Sequence, residues 1–164
     1  MLKKINIFIL VIFMSGFSFA EGVIDKEQVL NINREIYQAL LDGDISIIEK
    51  YISPESKITI DFDPALDKGE TEVSYDNYLK MAKVTMSMMK NPNVNIEYKE
   101  EIKSAFLDTK NNQVIVKSRS TTISEMMGMK LEDISEDESV YGIVNEQIKL
   151  ILFKNKLISS KPMK

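Results

Sequence analysis

The chain has 164 residues, of which 21 are Lys or Arg and 25 are Asp or Glu, for a net charge of −4, and it contains neither Cys nor His. That composition excludes disulfides, Ser-His and Cys-His catalytic pairs and any His-containing zinc site, and no basic stripe is present to meet nucleic acid. The length is that of one domain, enough to bury a core.

In chain order, Lys3 and Lys4 precede an apolar run over residues 5–14, and Ser18-Phe19-Ala20 offers small residues at the two positions a signal peptidase reads. The pattern predicts a secretory signal peptide over residues 1–20 and a mature domain over residues 21–164, periplasmic or secreted, with no membrane anchor after cleavage. The apolar run is shorter than the ~20 residues a membrane span needs. Residues 25–41 then show helical periodicity, with Val29, Ile32, Ile36 and Leu40 in one stripe, Asp25 as cap and Gly43 as stop. Asp44 caps a shorter helix, 45–51, closed by Ser53-Pro54. Residues 57–63 alternate as a strand, Asp63-Pro64 opens a loop, and Ser74 caps a third helix that runs to about Lys90 and stops at Asn91-Pro92.

From Asn93 onward the chain reads as four β-strands. The first, 93–107, alternates Val94, Ile96, Tyr98, Ile102 and Phe106 against charged and amide residues. A turn over 108–112 leads to a second strand, 113–126, and a polar loop over 131–138 to a third, 139–153. Lys154-Asn155-Lys156 is expected to turn the chain into a short closing strand, 157–160. Two strands of about fifteen residues far exceed the usual ~5–6, which predicts strong twist or curl. The fold class expected is α+β, with N-terminal helices packed on a strongly curved, cone-shaped antiparallel sheet.

This order resembles the nuclear-transport-factor-2-like superfamily, which includes ketosteroid isomerases and SnoaL-like polyketide cyclases. The residues that carry the resemblance are the Leu-Leu-Asp-Gly-Asp-Ile run between the first two helices, Ser-Pro-Glu-Ser-Lys-Ile-Thr-Ile entering the first strand, and the closing Phe-Lys-Asn-Lys-Leu-Ile. None of these motifs specifies a function, because the superfamily carries enzymes, ligand binders and dimerisation modules.

Parity on the strands selects the polar residues that point inward: Glu100 on the first, Glu146 on the third, and Ser118 and Ser120 on the second. A buried carboxylate is expensive unless partnered, which makes such a position a candidate acid or base. The resemblance implies more. In ketosteroid isomerases an acidic hydrogen-bond donor stands seven residues before the closing apolar residue of its strand, as Glu146 stands before Phe153. Their general base lies at the end of the first strand, where this chain has Asp61 and Asp63, and their helix tyrosine aligns with Ile36 rather than with its neighbour Tyr37.

The leading reading is an exported non-catalytic protein that binds a small apolar or amphipathic molecule, or a partner surface, in a pocket lined by Tyr37, Tyr78, Met81, Met89, Tyr98, Ser118, Ser120 and Glu146. An alternative is an enzyme of the isomerase or dehydratase type that uses Asp61 or Asp63 as base, with Glu100 as the one replacement for it, and Glu146 as the protonated donor. A further alternative is a soft-ligand Cu(I) site built from Met88, Met89, Met126, Met127 and Met129. No cofactor is expected. The apolar residues Ile115, Ile123, Ile143 and Ile151 on the other sheet face predict a homodimer surface.

Overall fold

The computed structural model describes residues 22–61, 71–126 and 128–163; the expected signal peptide, Asp63 and Met127 lie outside them. Three helices, α1 (Lys26–Asp42), α2 (Ile45–Tyr51) and α3 (Tyr75–Met89), accompany six strands, β1 (Ile52–Asp61), β2 (Thr71–Val73), β3 (Val94–Asp108), β4 (Gln113–Met126), β5 (Met129–Val144) and β6 (Gln147–Met163). The helix ends follow local chemistry. The Asp25 carboxylate accepts from the Glu27 amide at 3.1 Å and Asp44 from the Ser46 amide at 3.0 Å, so each satisfies a donor that the first helical turn leaves open. Gly43 closes α1 at φ 71°, a left-handed conformation that a residue without Cβ adopts without steric cost. On α3, Leu79, Ala82 and Met86 recur at helical spacing and are buried. Among the described residues no helix is long and apolar enough to cross a membrane.

The sheet overturns part of the expected architecture. Its order is β2-β1-β6-β5-β4-β3, an open sheet that neither closes nor curves strongly into a cone, and it is mixed: β1 runs parallel to β6 while every other pair is antiparallel. The long strands absorb their length through register shifts at Ile102/Ser104, Ile134/Ser135 and Val140/Tyr141, where an extra residue bends the ladder locally.

The strand boundaries after residue 126 also differ from expectation. Residues 131–138 belong to β5, and Lys154-Asn155-Lys156 lies inside the continuous β6. The actual turn is Asn145-Glu146, with φ 50° and 62°. Two consecutive left-handed residues make the type I′ hairpin turn, whose twist matches the flanking strands. Asn suits the first position; Glu at the second hides the turn from a sequence reading, because a residue with a Cβ adopts that conformation at a cost of about 1–2 kcal/mol. Glu146→Gly creates the favoured Asn-Gly pair, and thermal or urea unfolding should register a gain of about 0.5–1 kcal/mol, since the added chain entropy of Gly offsets part of the relief.

One face of the sheet packs under α1 and α3, and its rows change character along the strands. Leu107, Val114, Tyr141 and Leu150 are paired across one row, and Ala105, Val116, Ser139, Phe153 and Ile58 across the next. Ile102, Ser118, Asp137, Asn155 and Ile60 follow, and then Glu100 beside Ser120. The covered face therefore passes from aliphatic to polar beneath the helices. The aliphatic end is the core: Val29, Ile48, Ile58, Val114 and Val116 are sealed from solvent.

Candidate functional site

At the polar end of the covered face the helices leave a cleft of two adjoining chambers. The inner chamber, of about 60 Å³, is lined by residues that include Asn33, Tyr37, Tyr78, Tyr98, Glu100, Asp137, Ser139, Tyr141 and Phe153. The outer one, of about 230 Å³, has walls that include Met81, Ala82, Thr85, Met89, Ile96 and Thr122, and it shares Leu40, Tyr78 and Tyr98 with the first. The inner volume suits a few waters or the polar end of a ligand, and the outer volume suits an apolar body.

Two carboxylates form the floor, each held by neutral donors. Glu100 accepts from Ser118 Oγ at 2.7 Å and from Asn33 Nδ2 at 3.3 Å to both oxygens; Asn33 in turn accepts from the Tyr141 hydroxyl at 2.8 Å. Asp137 accepts from Ser120 Oγ at 2.8 Å and from Asn155 Nδ2 at 2.6 Å. Burial pushes the Asp137 carboxyl up from its ordinary value and the Glu100 charge adds to the shift, against the opposing hydrogen bonds of Asn155 and Ser120. Burial likewise raises the phenols around it. Tyr78 is pushed up to about 12, with the Asp137 charge as the second cause, and Tyr98 and Tyr141 are pushed up further. The rings are ordered among themselves: Tyr37 lies 5.3 Å from Tyr98, centroid to centroid, and its hydroxyl donates to the Tyr98 carbonyl at 2.9 Å, while Tyr78 meets Phe153 edge-on at 6.0 Å.

The residues expected from sequence are divided by the structure. Tyr37, Tyr78, Met81, Met89 and Tyr98 line the cleft, and Ser118, Ser120 and Glu100 stand on its floor. Glu100 keeps its inward parity because the β3 register shift falls after it, between Ile102 and Ser104; the same shift turns Phe106 outward to 62% exposure. Glu146 stands apart, exposed in the β5–β6 turn. Asp61 ends β1 opposite Lys156. Of the methionines offered for copper, Met88 and Met129 are exposed and Met89 lines the cleft, while Met127 and the side chain of Met126 are outside what the structure describes. Ile115 and Ile123 are half-buried on the face away from the helices, whereas Ile143, itself exposed, pairs with Ile148 and lines a hollow beside α1. Among the described residues no group of three or more acidic side chains is placed to hold a metal ion.

Sequence reasoning missed Asp137, Ser139 and Tyr141, because it took the even-numbered residues of this strand as inward. Val140 and Val144 supplied the apolar alternation; the odd positions carry the site. A shift of one residue moves every side chain to the other face. The available signal was the polar half of β4: Ser118 and Ser120 call for hydrogen-bonding neighbours across the strand, and Asp137 is the Cα partner of Ser118.

A larger hollow of about 380 Å³ opens on the opposite sheet face among Lys103, Lys117, Arg119, Glu136, Glu138 and Lys154, and it reaches Ser118 and Asp137 at its base. It is open and its charges pair with one another, Arg119 with Glu136 at 3.0 Å and Lys117 with Glu138 at 3.4 Å. Such exposed pairs are each worth ~0–1 kcal/mol, and among the described residues the hollow's lining contains no aliphatic or aromatic residue to receive an apolar body. The cleft is the better candidate.

No protein-family model and no curated protein sequence matches the chain. Solved structures do. An NTF2-like protein from Cytophaga hutchinsonii aligns with a TM-score of 0.58 at 12% identity, over 82% of this chain and 100% of that one. A ketosteroid isomerase-like protein from Erwinia carotovora atroseptica gives 0.59 at 12%, covering 82% and 96%, and a hexachlorocyclohexane dehydrochlorinase gives 0.56 at 8%, covering 84% and 90%. At these identities the likeness concerns backbone architecture and carries no activity across. With helices laid over one face of a long-stranded sheet, and nearly the full length of each of these structures matched, the chain has the nuclear-transport-factor-2-like fold.

Proposed function

We propose that this chain is an exported, non-catalytic protein that holds a small amphipathic molecule, with its apolar part in the outer chamber and its polar end against Glu100 and Asp137. The observation that carries the reading is the continuity of the two chambers through Leu40, Tyr78 and Tyr98, which joins an apolar wall to a desolvated polar floor. Thr85 tests it. It is exposed at the rim of the outer chamber, so Thr85→Trp fills the entrance without touching the core. Native mass spectrometry of the mature chain against a panel of small charged and neutral amphipathic molecules should find retained ligand in the wild type and about tenfold less in the variant, at equal melting temperature. No retained molecule, or equal retention in both proteins, contradicts the proposal.

Asp137 supports a second reading, an enzyme of the isomerase or dehydratase type. A carboxyl whose proton affinity is raised by burial beside a second carboxylate is a fitting general acid or base. Turnover of a bound molecule that Asp137→Asn abolishes while binding persists would establish it; binding without turnover excludes it.

A further inference from the structure

Among the described residues the cleft holds two carboxylates and no cation. Neither chamber includes a Lys or Arg in its lining, and Glu100 and Asp137 are met only by the amides of Asn33 and Asn155 and the hydroxyls of Ser118 and Ser120. The cations that share the far hollow with Asp137 extend from the opposite face, where Lys117 pairs with Glu138, Arg119 with Glu136 and Lys103 with Glu101. A buried carboxylate, Asp137, in electrostatic reach of the half-buried Glu100 is costly unless a positive charge joins them. The approach to this floor is aromatic: Tyr37 with Tyr98, and Tyr78 with Phe153, present ring faces and edges to whatever enters. The half-buried Tyr78 phenol stands where the chambers meet and donates to no other described residue, which leaves it available to a ligand in the passage.

Taking the cleft as the binding site proposed above, we infer that its ligand is a small organic ammonium ion with an apolar, ring-sized body, the ammonium group bridging Glu100 and Asp137. A carboxylate pair with its neutral donors already in place is short of charge rather than of hydrogen bonds, and an ammonium supplies both charge and donors. The aromatic walls suit the same ion, because ring faces attract a cation as it sheds water. An anion is repelled by the same floor.

Three probes of one size and different charge separate this inference from the reading it rests on: phenethylamine, phenethyl alcohol and phenylpropionate, each titrated calorimetrically into the mature chain near neutral pH. The amine should bind at least about tenfold more tightly than the alcohol, and phenylpropionate should give no measurable heat. Glu100→Gln and Asp137→Asn, which keep size and remove the charge, should each reduce the amine's advantage over the alcohol by about tenfold; melting curves verify that both variants fold. The comparison among probes on the wild type needs no variant at all. Equal affinity for amine and alcohol overturns the ammonium inference and leaves the pocket standing. If none of the three binds, both fall.

Discussion

Tyr141→Ala should destabilise the fold by about 3–5 kcal/mol, which consumes much of the ~5–15 kcal/mol that holds a domain of this size together. Tyr141 is the largest side chain sealed from solvent, at 1% exposure, and it links the two ends of the covered face. Its ring packs in the aliphatic row with Val114 and Leu150, and its hydroxyl reaches Asn33 of α1. Truncation leaves a cavity that neighbours on a sheet cannot collapse to fill, and it orphans the Asn33 oxygen. Tyr141→Phe isolates the second term: the ring stays, one buried acceptor loses its donor, and the expected loss is about 1–3 kcal/mol. Urea unfolding of the two variants measures both. A Phe variant as stable as the wild type would mean that Asn33 finds another donor and that the network is looser than its distances imply.

The second large effect is alkaline. Four of the six tyrosines, Tyr75, Tyr78, Tyr98 and Tyr141, have phenols raised above their ordinary value of 10.0, chiefly by burial, and the shift is large for the last three. Between pH 10 and about 12 the unfolded chain releases these protons while the folded chain keeps them, so the folded state binds more protons and stability falls as pH rises. Each such group contributes a slope of at most ~1.4 kcal/mol per pH unit, so the three together can remove ~4 kcal/mol per unit. Stability is fully present below pH 10 and should collapse cooperatively within a unit or two above it. Phenolate absorbance should show the signal of these buried tyrosines appearing only with loss of the far-ultraviolet circular dichroism signal. All six titrating together near pH 10 with the fold intact would contradict the buried arrangement. Asp137 acts in the same direction at lower pH, since its raised carboxyl favours the protonated folded state.

What could be read from sequence follows from which forces are local. The helices and their caps depend on neighbours three and four residues apart, and Asp25, Asp44, Ser74 and Gly43 stand where the sequence places them. The first two sheet strands were equally plain, because Val94 to Tyr98 and Val114 to Val116 alternate without ambiguity. The last two strands were not. Their boundary depends on a turn containing Glu146, a residue type poorly suited to it, and β6 pairs in parallel with β1, far away in sequence and beyond any periodicity. The same difficulty divided the site. Tyr78, Tyr98 and Ser118 sit on elements whose period is clear, whereas Asp137 and Tyr141 sit on the strand whose apolar alternation marks the face away from the helices. A polar site on a covered face inverts the pattern by which covered faces are recognised.

The account stands most directly on the cleft as the place where a small molecule rests, and an amide NMR titration of the labelled mature chain with phenethylamine and phenethyl alcohol tests it. The predicted result is a set of saturable shifts at Tyr78, Met81, Tyr98 and Ser120, around the two chambers, with Lys117, Glu138 and Lys154 on the far face unmoved. Shifts confined to that far face, or none with either compound, would contradict it.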